Sequence, residues 1–452
     1  MSIIILAAGQ GTRMQSALPK VLHHLAGRPL LQHVIETAQQ LPNRDIAVVY
    51  GYGGELVRAE LAGMPVRWVE QASQLGTGHA VAQALPEIPA DDFVLVLYGD
   101  VPLIGPETLQ ALVTAAEGSG FSLLTAKLPD PAGYGRIVRD DSGKVLRIVE
   151  HKDAGDTECA INEINTGMLV VRADWLQRWV ASLDSENKQG EYYLTDIIGM
   201  ATAEGVTINA IQPATVFETQ GVNDRVQLAE LERYYQRGQA ETLMRAGVTL
   251  MDPSRFDLRG NLHAGTDISI DVNAVLIGNI VLGDGVQVGA NCFIRNAEIA
   301  AGTILEPNCV IDNAIIGAGC RIGPFARIRP DTRLDDNVHV GNFVEIKKST
   351  IAAGSKVNHL SYIGDSEIGR DVNIGAGTIT CNYDGANKFK TIIEDNVFIG
   401  SDTQLVAPVR VATGATIGAG TTVTRDVEAN SLAVSRIEQR SVKNWQRPKK
   451  SK

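Results

Sequence analysis

From residue 316 onward an aliphatic side chain returns at every sixth position. Ile316, Ile322, Ile328, Leu334, Val340 and Ile346 form one run, Ile351, Val357 and Ile363 a second, Ile368 and Ile374 a third, and Ile393, Ile399, Leu405, Val411, Ile417 and Val423 a fourth. Chance supplies two or three such steps, not runs of six. The period matches neither an amphipathic helix nor an alternating strand. It fits a short strand plus a corner, repeated, which makes a parallel β-helix with one aliphatic side chain per hexad turned into a narrow core. No single coil could bury its own face, so neighbouring coils must stack. Glycine often follows the aliphatic residue, as in Ile322-Gly323, Val340-Gly341, Ile399-Gly400 and Ile417-Gly418, and small residues suit the corners. Residues 380–392 interrupt the register with the polar, turn-forming Cys381-Asn382-Tyr383-Asp384-Gly385-Ala386-Asn387-Lys388. A loop ejected from a regular solenoid is a natural place for ligand binding.

The chain before this repeat has a different period. Residues 1 to about 225 alternate apolar strand runs (Ile3–Leu6, Ile46–Tyr50, Val66–Val69, Phe93–Tyr98, Phe121–Thr125) with helical segments such as Leu30–Leu41 and Glu107–Glu117. That alternation predicts an α/β domain, a mostly parallel Rossmann-like sheet with helices on both faces. From Asp224 to Ala246 a sparse helical pattern (Val226, Leu228, Leu231, Tyr235, Leu243) predicts one long, largely exposed helix. The expected organisation is therefore 1–225, a linker helix over 226–246, and the β-helix over 247–452. Aromatic residues make up only 5% of the chain, so both cores must be aliphatic.

The formal net charge of −11 argues against a nucleic-acid partner, which would want a basic face. Five cysteines are scattered at 159, 292, 309, 320 and 381 with no Cys-x-x-Cys, which fits a reducing cytoplasm better than a disulfide framework or zinc site. No apolar run approaches the length of a membrane span, and Ile3–Ala8 reads as a first strand rather than a signal segment. The tail from Arg440 to Lys452 is basic and reads as a solvated terminus, with assistance to coenzyme phosphates as its functional alternative.

The first strand runs into Leu6-Ala7-Ala8-Gly9-Gln10-Gly11-Thr12-Arg13-Met14, with Pro19-Lys20 just after. Glycines let the backbone approach a polyphosphate with N–H groups directed at it, and Arg13 and Lys20 add charge. The third glycine of a dinucleotide fingerprint is absent, and no Gly-Lys-Ser/Thr follows, so neither NAD binding nor a P-loop is indicated. Phe93–Leu97 ends in Tyr98-Gly99-Asp100, which puts a carboxylate at the carboxyl end of a buried strand. Asp100 is the obvious oxygen ligand for a cation that holds a triphosphate.

These segments resemble sugar-1-phosphate nucleotidyltransferases. With Gln71, Gly76-Thr77-Gly78-His79-Ala80, Gly133-Tyr134-Gly135-Arg136, Glu150-His151-Lys152, Asn165-Thr166-Gly167 and Gly221-Val222-Asn223, the resemblance extends over essentially the full length. It is to the bacterial bifunctional N-acetylglucosamine-1-phosphate uridylyltransferases and glucosamine-1-phosphate N-acetyltransferases. The resemblance implies that Leu6, Ala7, Ala8, Gly9 and Lys20 hold the nucleotide and its phosphates, and that Arg13 and Lys20 assist catalysis by stabilising charge. It implies that Gln71, Gly76 and Thr77 contact uridine, that Tyr98, Gly99, Gly135, Glu150 and Asn165 line the sugar site, and that Asp100 and Asn223 hold Mg2+. The implied reaction is displacement of pyrophosphate from UTP by N-acetylglucosamine-1-phosphate, feeding peptidoglycan and lipid A precursors.

Acetyl transfer to an amine needs a base, and histidine titrates in the right range. The solenoid offers His263, His339 and His359; His263 lies in the first turns, and the residues alone do not choose between the other two. Arg329 and Lys347 each stand one past an aliphatic residue, three hexads apart, so three faces per coil would stack them on one face of adjacent coils. The resemblance, which also extends to the left-handed β-helix of hexapeptide-repeat acyltransferases, selects His359 as the base. It implies Arg329, Lys347, Tyr362 and Asn373 as glucosamine-1-phosphate contacts, with Lys388 beside them, and Ala376, Asn382, Tyr383, Ser401, Ala419 and Arg436 as acetyl-CoA contacts. It also implies a homotrimer with sites between neighbours. The alternative is a single-activity sugar-nucleotide pyrophosphorylase whose β-helix serves regulation or assembly. His359, Arg329, Lys347 and the Asn382-Tyr383 loop discriminate, because a regulatory helix has no need of them together. A non-catalytic scaffold is opposed by the intact phosphate loop and Asp100.

Overall fold

The computed structural model describes residues 1–42, 44–436, 438–448 and 450, so Lys449, Ser451 and Lys452 of the basic tail lie outside the described residues. The chain forms two compact units, Met1–Tyr235 and Gln236–Lys452. No helix among the described residues is long and apolar enough to cross a membrane.

In the first unit the strand Ser2–Ala7 is buried throughout and pairs in parallel with Asp45–Tyr50 on one side and Phe93–Tyr98 on the other. Its side chains alternate between two cores. Ile3 and Ile5 pack with Leu31, Val34, Leu109 and Leu112 from the helices Leu30–Ala38 and Pro106–Ser119. Ile4 and Leu6 pack with Val81 and Ala84 of Thr77–Ala84 and with Leu176 and Trp179 of Ala173–Val180. A strand covered on both faces has no polar side to offer, which is why Ile3–Leu6 reads as an unbroken apolar run. The chain leaves Ser2–Ala7 toward one neighbour and later returns to its other side, and this change of direction opens a crevice at the strand's carboxyl end.

The sheet departs from a purely parallel arrangement. Its order is Asn209–Ile211, Phe121–Lys127, Glu163–Arg172, Phe93–Tyr98, Ser2–Ala7, Asp45–Tyr50, Arg67–Glu70, and Glu163–Arg172 runs antiparallel to both neighbours. The chain between Phe121–Lys127 and Glu163–Arg172 is spent on an antiparallel ribbon, Arg136–Arg139 with Val145–Val149, rather than on a crossover helix. Without a crossover the returning strand enters antiparallel.

In the second unit the coils pair at intervals of 17 or 18 residues, as in Ile322 with Val340, Val340 with Val357 and Val357 with Ile374. Each coil contributes strands to three faces. The first long strands, Phe256–Ala264, Ala274–Leu282 and Phe293–Ile299, bend around one corner, after which Phe293–Ile299 splits its pairing between Val310–Asp312 and Ala314–Ile316. The bend requires glycine at Gly260, where a Cβ would stand 2.2 Å from Gly278 O. The hexad aliphatics point inward: Ile316, Ile322, Ile328, Leu334, Val340 and Ile346 are all buried in one continuous core. Corners take the left-handed conformation with asparagine or aspartate, and Asn273, Asn291 and Asn308 link successive coils by side-chain amides at 2.9 and 3.2 Å. Ile374 pairs with Ile399, a longer interval, because the Asn382–Lys390 segment is expelled.

The helix Arg225–Arg245 continues through Gly238 and contains the boundary between the units. It starts at Asp224, whose Oδ1 accepts from Val226 N and Gln227 N, both at 2.9 Å. Its sparse apolar residues are not idle: Leu231 packs with Met14, Leu25, Leu30 and Val222 in the first unit, and Ala240 enters the solenoid core in the second. The buried Gln236 grips the first long solenoid strand, donating to Leu258 O at 2.9 Å and accepting from Leu258 N at 2.8 Å. Gln236→Leu removes both bonds at nearly constant volume. We expect it to lower stability by about 2–3 kcal/mol, read as a lower midpoint of thermal unfolding monitored by circular dichroism; an unchanged midpoint would contradict the clamp.

Candidate functional site

A cavity of about 330 Å³ opens at the carboxyl end of Ser2–Ala7, lined by Leu6, Ala7, Ala8, Gly9, Gln10, Lys20, Val21, Gln71, Gln74, Gly76, Thr77, Ala80, Tyr98, Asp100 and Glu191. Gly11 is in the left-handed region, φ 64°, and a Cβ there would meet Lys20 Cβ at 2.6 Å, so glycine is what lets Lys20 fold back beneath the loop. The Lys20 ammonium contacts Asp100 Oδ2 and lies 3.4 Å from Asn223 Oδ1. Arg13 Nη2 donates to the same Asn223 oxygen at 2.9 Å. Val222 N donates to Asp100 O at 2.9 Å and thereby brings Asn223 to this point from a distant stretch of sequence. Four of the anticipated residues, Arg13, Lys20, Asp100 and Asn223, thus form one linked group.

The two oxygens, Asp100 Oδ2 and Asn223 Oδ1, converge on a single cationic nitrogen. A small divalent cation wants such hard oxygen atoms and takes only one or two of them from protein. The donor set fits, although no cluster of three or more His, Cys, Asp or Glu side chains suited to a metal occurs among the described residues.

At the other end of the cavity Gln71 is buried and donates to Gly76 O at 3.1 Å. Gly76, φ 113°, and Gly78 rest against the backbone of Tyr192: Gly78 N donates to Tyr192 O at 2.8 Å, Tyr192 N to Leu75 O at 2.9 Å, and Leu194 N to Thr77 Oγ1 at 3.1 Å. The Tyr192 segment and Glu191 belong to the site but carry no motif, and only their position against the Gly76–Gly78 turn reveals them. Gly135, Glu150 and Asn165 form a second group beyond Tyr98, outside the cavity lining. Asn165 N donates to Gly135 O at 2.9 Å, and Thr195 Oγ1 donates to Glu150 Oε1 at 3.1 Å. Burial pushes the Glu150 carboxyl up, with Asp196, Asp153 and Glu191 adding to the effect. Burial likewise pushes the Tyr98 phenol up, reinforced by Glu150 and Asp100. Gly99 sits between the strand end and Leu31, where a Cβ would meet Leu31 Cδ1 at 3.0 Å.

On the solenoid, His359 is exposed and its Nδ1 lies 2.9 Å from Asn342 Oδ1, its in-register partner one coil earlier. The amide oxygen accepts, so Nδ1 carries a proton, and in the neutral ring the lone pair is then on Nε2, the tautomer a general base requires. Asn342 escaped sequence reasoning because its role comes only from the pairing of coils. Arg329 and Lys347 do stack, each following the paired Ile328 and Ile346. Arg329 Nη1 donates to Glu345 Oε1 at 2.7 Å, and Lys347 Nζ lies 3.6 Å from Asp365 Oδ2, which accepts from Asn382 Nδ2 at 2.5 Å. Lys388, from the expelled loop, reaches Lys347, and the neighbouring ammonium holds Lys388 below the ordinary lysine range. Two ammonium groups brought together with few counter-charges make a natural seat for an anion. Tyr362 follows Glu345 in the same row, whereas Asn373 pairs with Lys356 on the face that ends in His359. Ala376, Ser401 and Ala419 follow one another at the corner after that face, as Gly375 N bonds Ile399 O and Gly400 N bonds Ile417 O. Tyr383 is exposed on the loop with its hydroxyl donating to Gly385 O at 2.6 Å, and Arg436 Nε donates to Ala419 O at 3.3 Å. His359 and the Arg329–Lys347–Lys388 group therefore stand on successive faces of one prism rather than on one.

Residues 3–192 match the MobA-like NTP transferase domain, residues 258–332 the GMPPB C-terminal domain, and residues 390–425 the bacterial transferase hexapeptide (six repeats). Bifunctional protein GlmU of Azoarcus sp. (strain BH72) is 58% identical over 452 residues and covers the whole of both chains. That of Aromatoleum aromaticum is 59% identical over 452 residues, covering all of this chain and 99% of its own. The chain belongs to the bifunctional GlmU family. It therefore joins a nucleotidyltransferase half to a hexapeptide acyltransferase half. A UDP-glucose pyrophosphorylase solved with UDP-glucose is 18% identical, covers 52% of this chain and 98% of its own, and superposes with a TM-score of 0.43.

The Gly76 turn yields a direct test. Gly76→Ala would place a methyl group 2.6 Å from Tyr192 O in a backbone conformation that alanine resists, with a strain of about 1–3 kcal/mol. Calorimetric titration with UTP should show affinity reduced by about tenfold or more; undiminished binding would mean the turn does not shape the nucleotide site.

Proposed function

We propose that the chain makes UDP-N-acetylglucosamine in two steps, acetylating glucosamine-1-phosphate with acetyl-CoA in its solenoid and then uridylylating the product in its first unit. The observation that carries this reading is the pairing of two chemically complete groups on one GlmU-family chain: Arg13, Lys20, Asp100 and Asn223 around one point of the nucleotide cavity, and a His359 with a free Nε2 near a cluster of phosphate-seeking cations.

In the first step His359 Nε2 takes the proton that the substrate ammonium must lose before its nitrogen can attack the thioester, while Asn342 holds the ring in the reactive tautomer. The C–N bond forms, the C–S bond breaks, and coenzyme A leaves as its thiol, taking up a proton from the attacking nitrogen. Arg329, Lys347 and Lys388 bind the sugar phosphate, with Tyr362 and Asn373 on the sugar. The corner Ala376–Ser401–Ala419 with Asn382, Tyr383 and Arg436 receives acetyl-CoA. Because His359 and the cation cluster occupy successive faces, a neighbouring copy is the simplest way to enclose the substrate, and we assign a homotrimer. The corner beside His359 supports this. Phe325, Phe343 and Leu360 stand there on successive coils, 50%, 56% and 64% exposed, with the two phenyl rings stacked at 5.3 Å. Such a ridge is the kind of apolar surface that a partner covers.

In the second step the sugar phosphate attacks the α-phosphorus of UTP in line and pyrophosphate leaves. Positioning and charge stabilisation carry such transfers, so no protein nucleophile is needed. Arg13 and Lys20 stabilise the developing phosphate charge, Gln71, Gly76 and Thr77 orient the uracil, and Tyr98, Gly99, Gly135, Glu150 and Asn165 shape the sugar end. Mg2+ held by Asp100 and Asn223 would supply further charge neutralisation on the triphosphate.

The decisive experiment separates the halves. His359→Ala should reduce acetyl transfer by about 100-fold or more while uridylyl transfer persists; Asp100→Ala should do the reverse, each measured with its own acceptor. If either change removed both activities from a folded protein, the two-site reading would be wrong.

A further inference from the structure

Behind the amide of Gln71 stands a histidine that neither reaction uses. His79, on the helix Thr77–Ala84, is half-buried and lies behind the cavity wall rather than on it. Its Nδ1 is 2.9 Å from Gln71 Nε2, and the same Nε2 is 3.1 Å from Gly76 O.

A primary amide carries two N–H donors and one acceptor oxygen. Gly76 O can only accept, so the nitrogen end of Gln71 must face it. The second N–H then points at His79 Nδ1, which must accept, and this demands a neutral ring with its proton on Nε2. Gln83 Nε2 approaches the other ring nitrogen at 3.3 Å, but a neutral imidazole has one acceptor nitrogen. The contact to Gln71 is shorter, and Gln83 Nε2 is already served by His79 O at 3.1 Å. Gln71 is 2% exposed, so its freedom to choose another arrangement is small. With both hydrogens committed to protein, the only hydrogen-bonding capacity it can offer to the cavity is its oxygen.

We propose that His79 is a positioning residue that locks Gln71 with its carbonyl toward the cavity, and that this lock makes the site select uracil over cytosine. The inference rests on the reading of Gln71 as a base contact. Uracil presents an N3–H donor, whereas the corresponding nitrogen of cytosine is an acceptor. The Gln71 oxygen receives the first and repels the second. A polar edge mismatched in a buried site is rejected far more strongly than a missing methylene would be. Remove the His79 acceptor and one Gln71 hydrogen is left unpaired; the amide can then swing, and Gly76 O alone retains only part of the bias.

The test uses the full chain and measures kcat/KM for UTP and for CTP with N-acetylglucosamine-1-phosphate, by pyrophosphate release. His79→Leu removes the acceptor. His79→Gln keeps a polar side chain but carries its oxygen out to where Nε2 lies. His79→Asn puts an amide oxygen close to the place of Nδ1. The UTP-to-CTP ratio should fall by about tenfold in the Leu and Gln variants, chiefly through KM for UTP, and should stay within about threefold of the parent in the Asn variant. Gln71→Ala should lower the ratio at least as far. A ratio that falls alike in the Leu, Gln and Asn variants would make His79 a packing residue and overturn the proposal. So would a ratio unchanged in Leu and Gln while Gln71→Ala lowers it. If Gln71→Ala itself leaves the ratio intact, the base-contact reading fails, a different result from failure of the lock alone.

Discussion

The second unit depends on parallel pairing between coils that cannot bury their own faces. In the regular coils a residue is placed by the one 17 or 18 positions away, so the solenoid acts as a lattice on which chemistry is laid out in rows. His359 is held by Asn342 because the two occupy one row. Arg329 and Lys347 meet for the same reason, one row over. The expelled loop then adds what a lattice cannot supply, a cation that bends back toward Lys347 and an asparagine that reaches Asp365. Regular coils provide rigid spacing, and the single interruption provides reach.

That lattice was legible because its signal is local and repeated. One aliphatic side chain per hexad has no other physical reading over so many steps, and three faces per coil lead directly from Ile328 and Ile346 to the stacking of Arg329 on Lys347. The first unit was legible for a different reason: Ile3–Leu6 is buried on both faces, which leaves an unbroken apolar run ending at the glycine loop. What was not legible depends on long-range contacts with no periodic trace. Nothing around residues 187–194 marks the Tyr192 segment as the support of Gly76 and Gly78, because its contribution is made through backbone groups that any residue possesses. The antiparallel entry of Glu163–Arg172 is decided by the ribbon before it. The helix Arg225–Arg245 looks exposed from its composition, since its key attachment in the second unit is a glutamine bound to a main-chain edge rather than an apolar stripe.

The two groups of charged residues solve related problems differently. At the nucleotide cavity, Arg13 and Lys20 gather on Asp100 and the neutral Asn223 oxygen, while Glu191 adds a second carboxylate to the lining. Two cations against two carboxylates leave no surplus to set against the several negative charges of a triphosphate, and a pair of convergent oxygens is what one would keep in order to recruit a further cation. On the solenoid, Arg327, Arg329, Lys347 and Lys388 stand against Glu345 and Asp365, a clear excess of positive charge. In the proposed reaction the ligand there carries a single phosphate, and its own amine offsets part of that charge until the proton is removed. A monoester can thus be held by side chains alone, and no oxygen pair comparable to Asp100 and Asn223 is needed. The extra oxygens in one unit and the surplus of cations in the other follow from the charge of what each must hold.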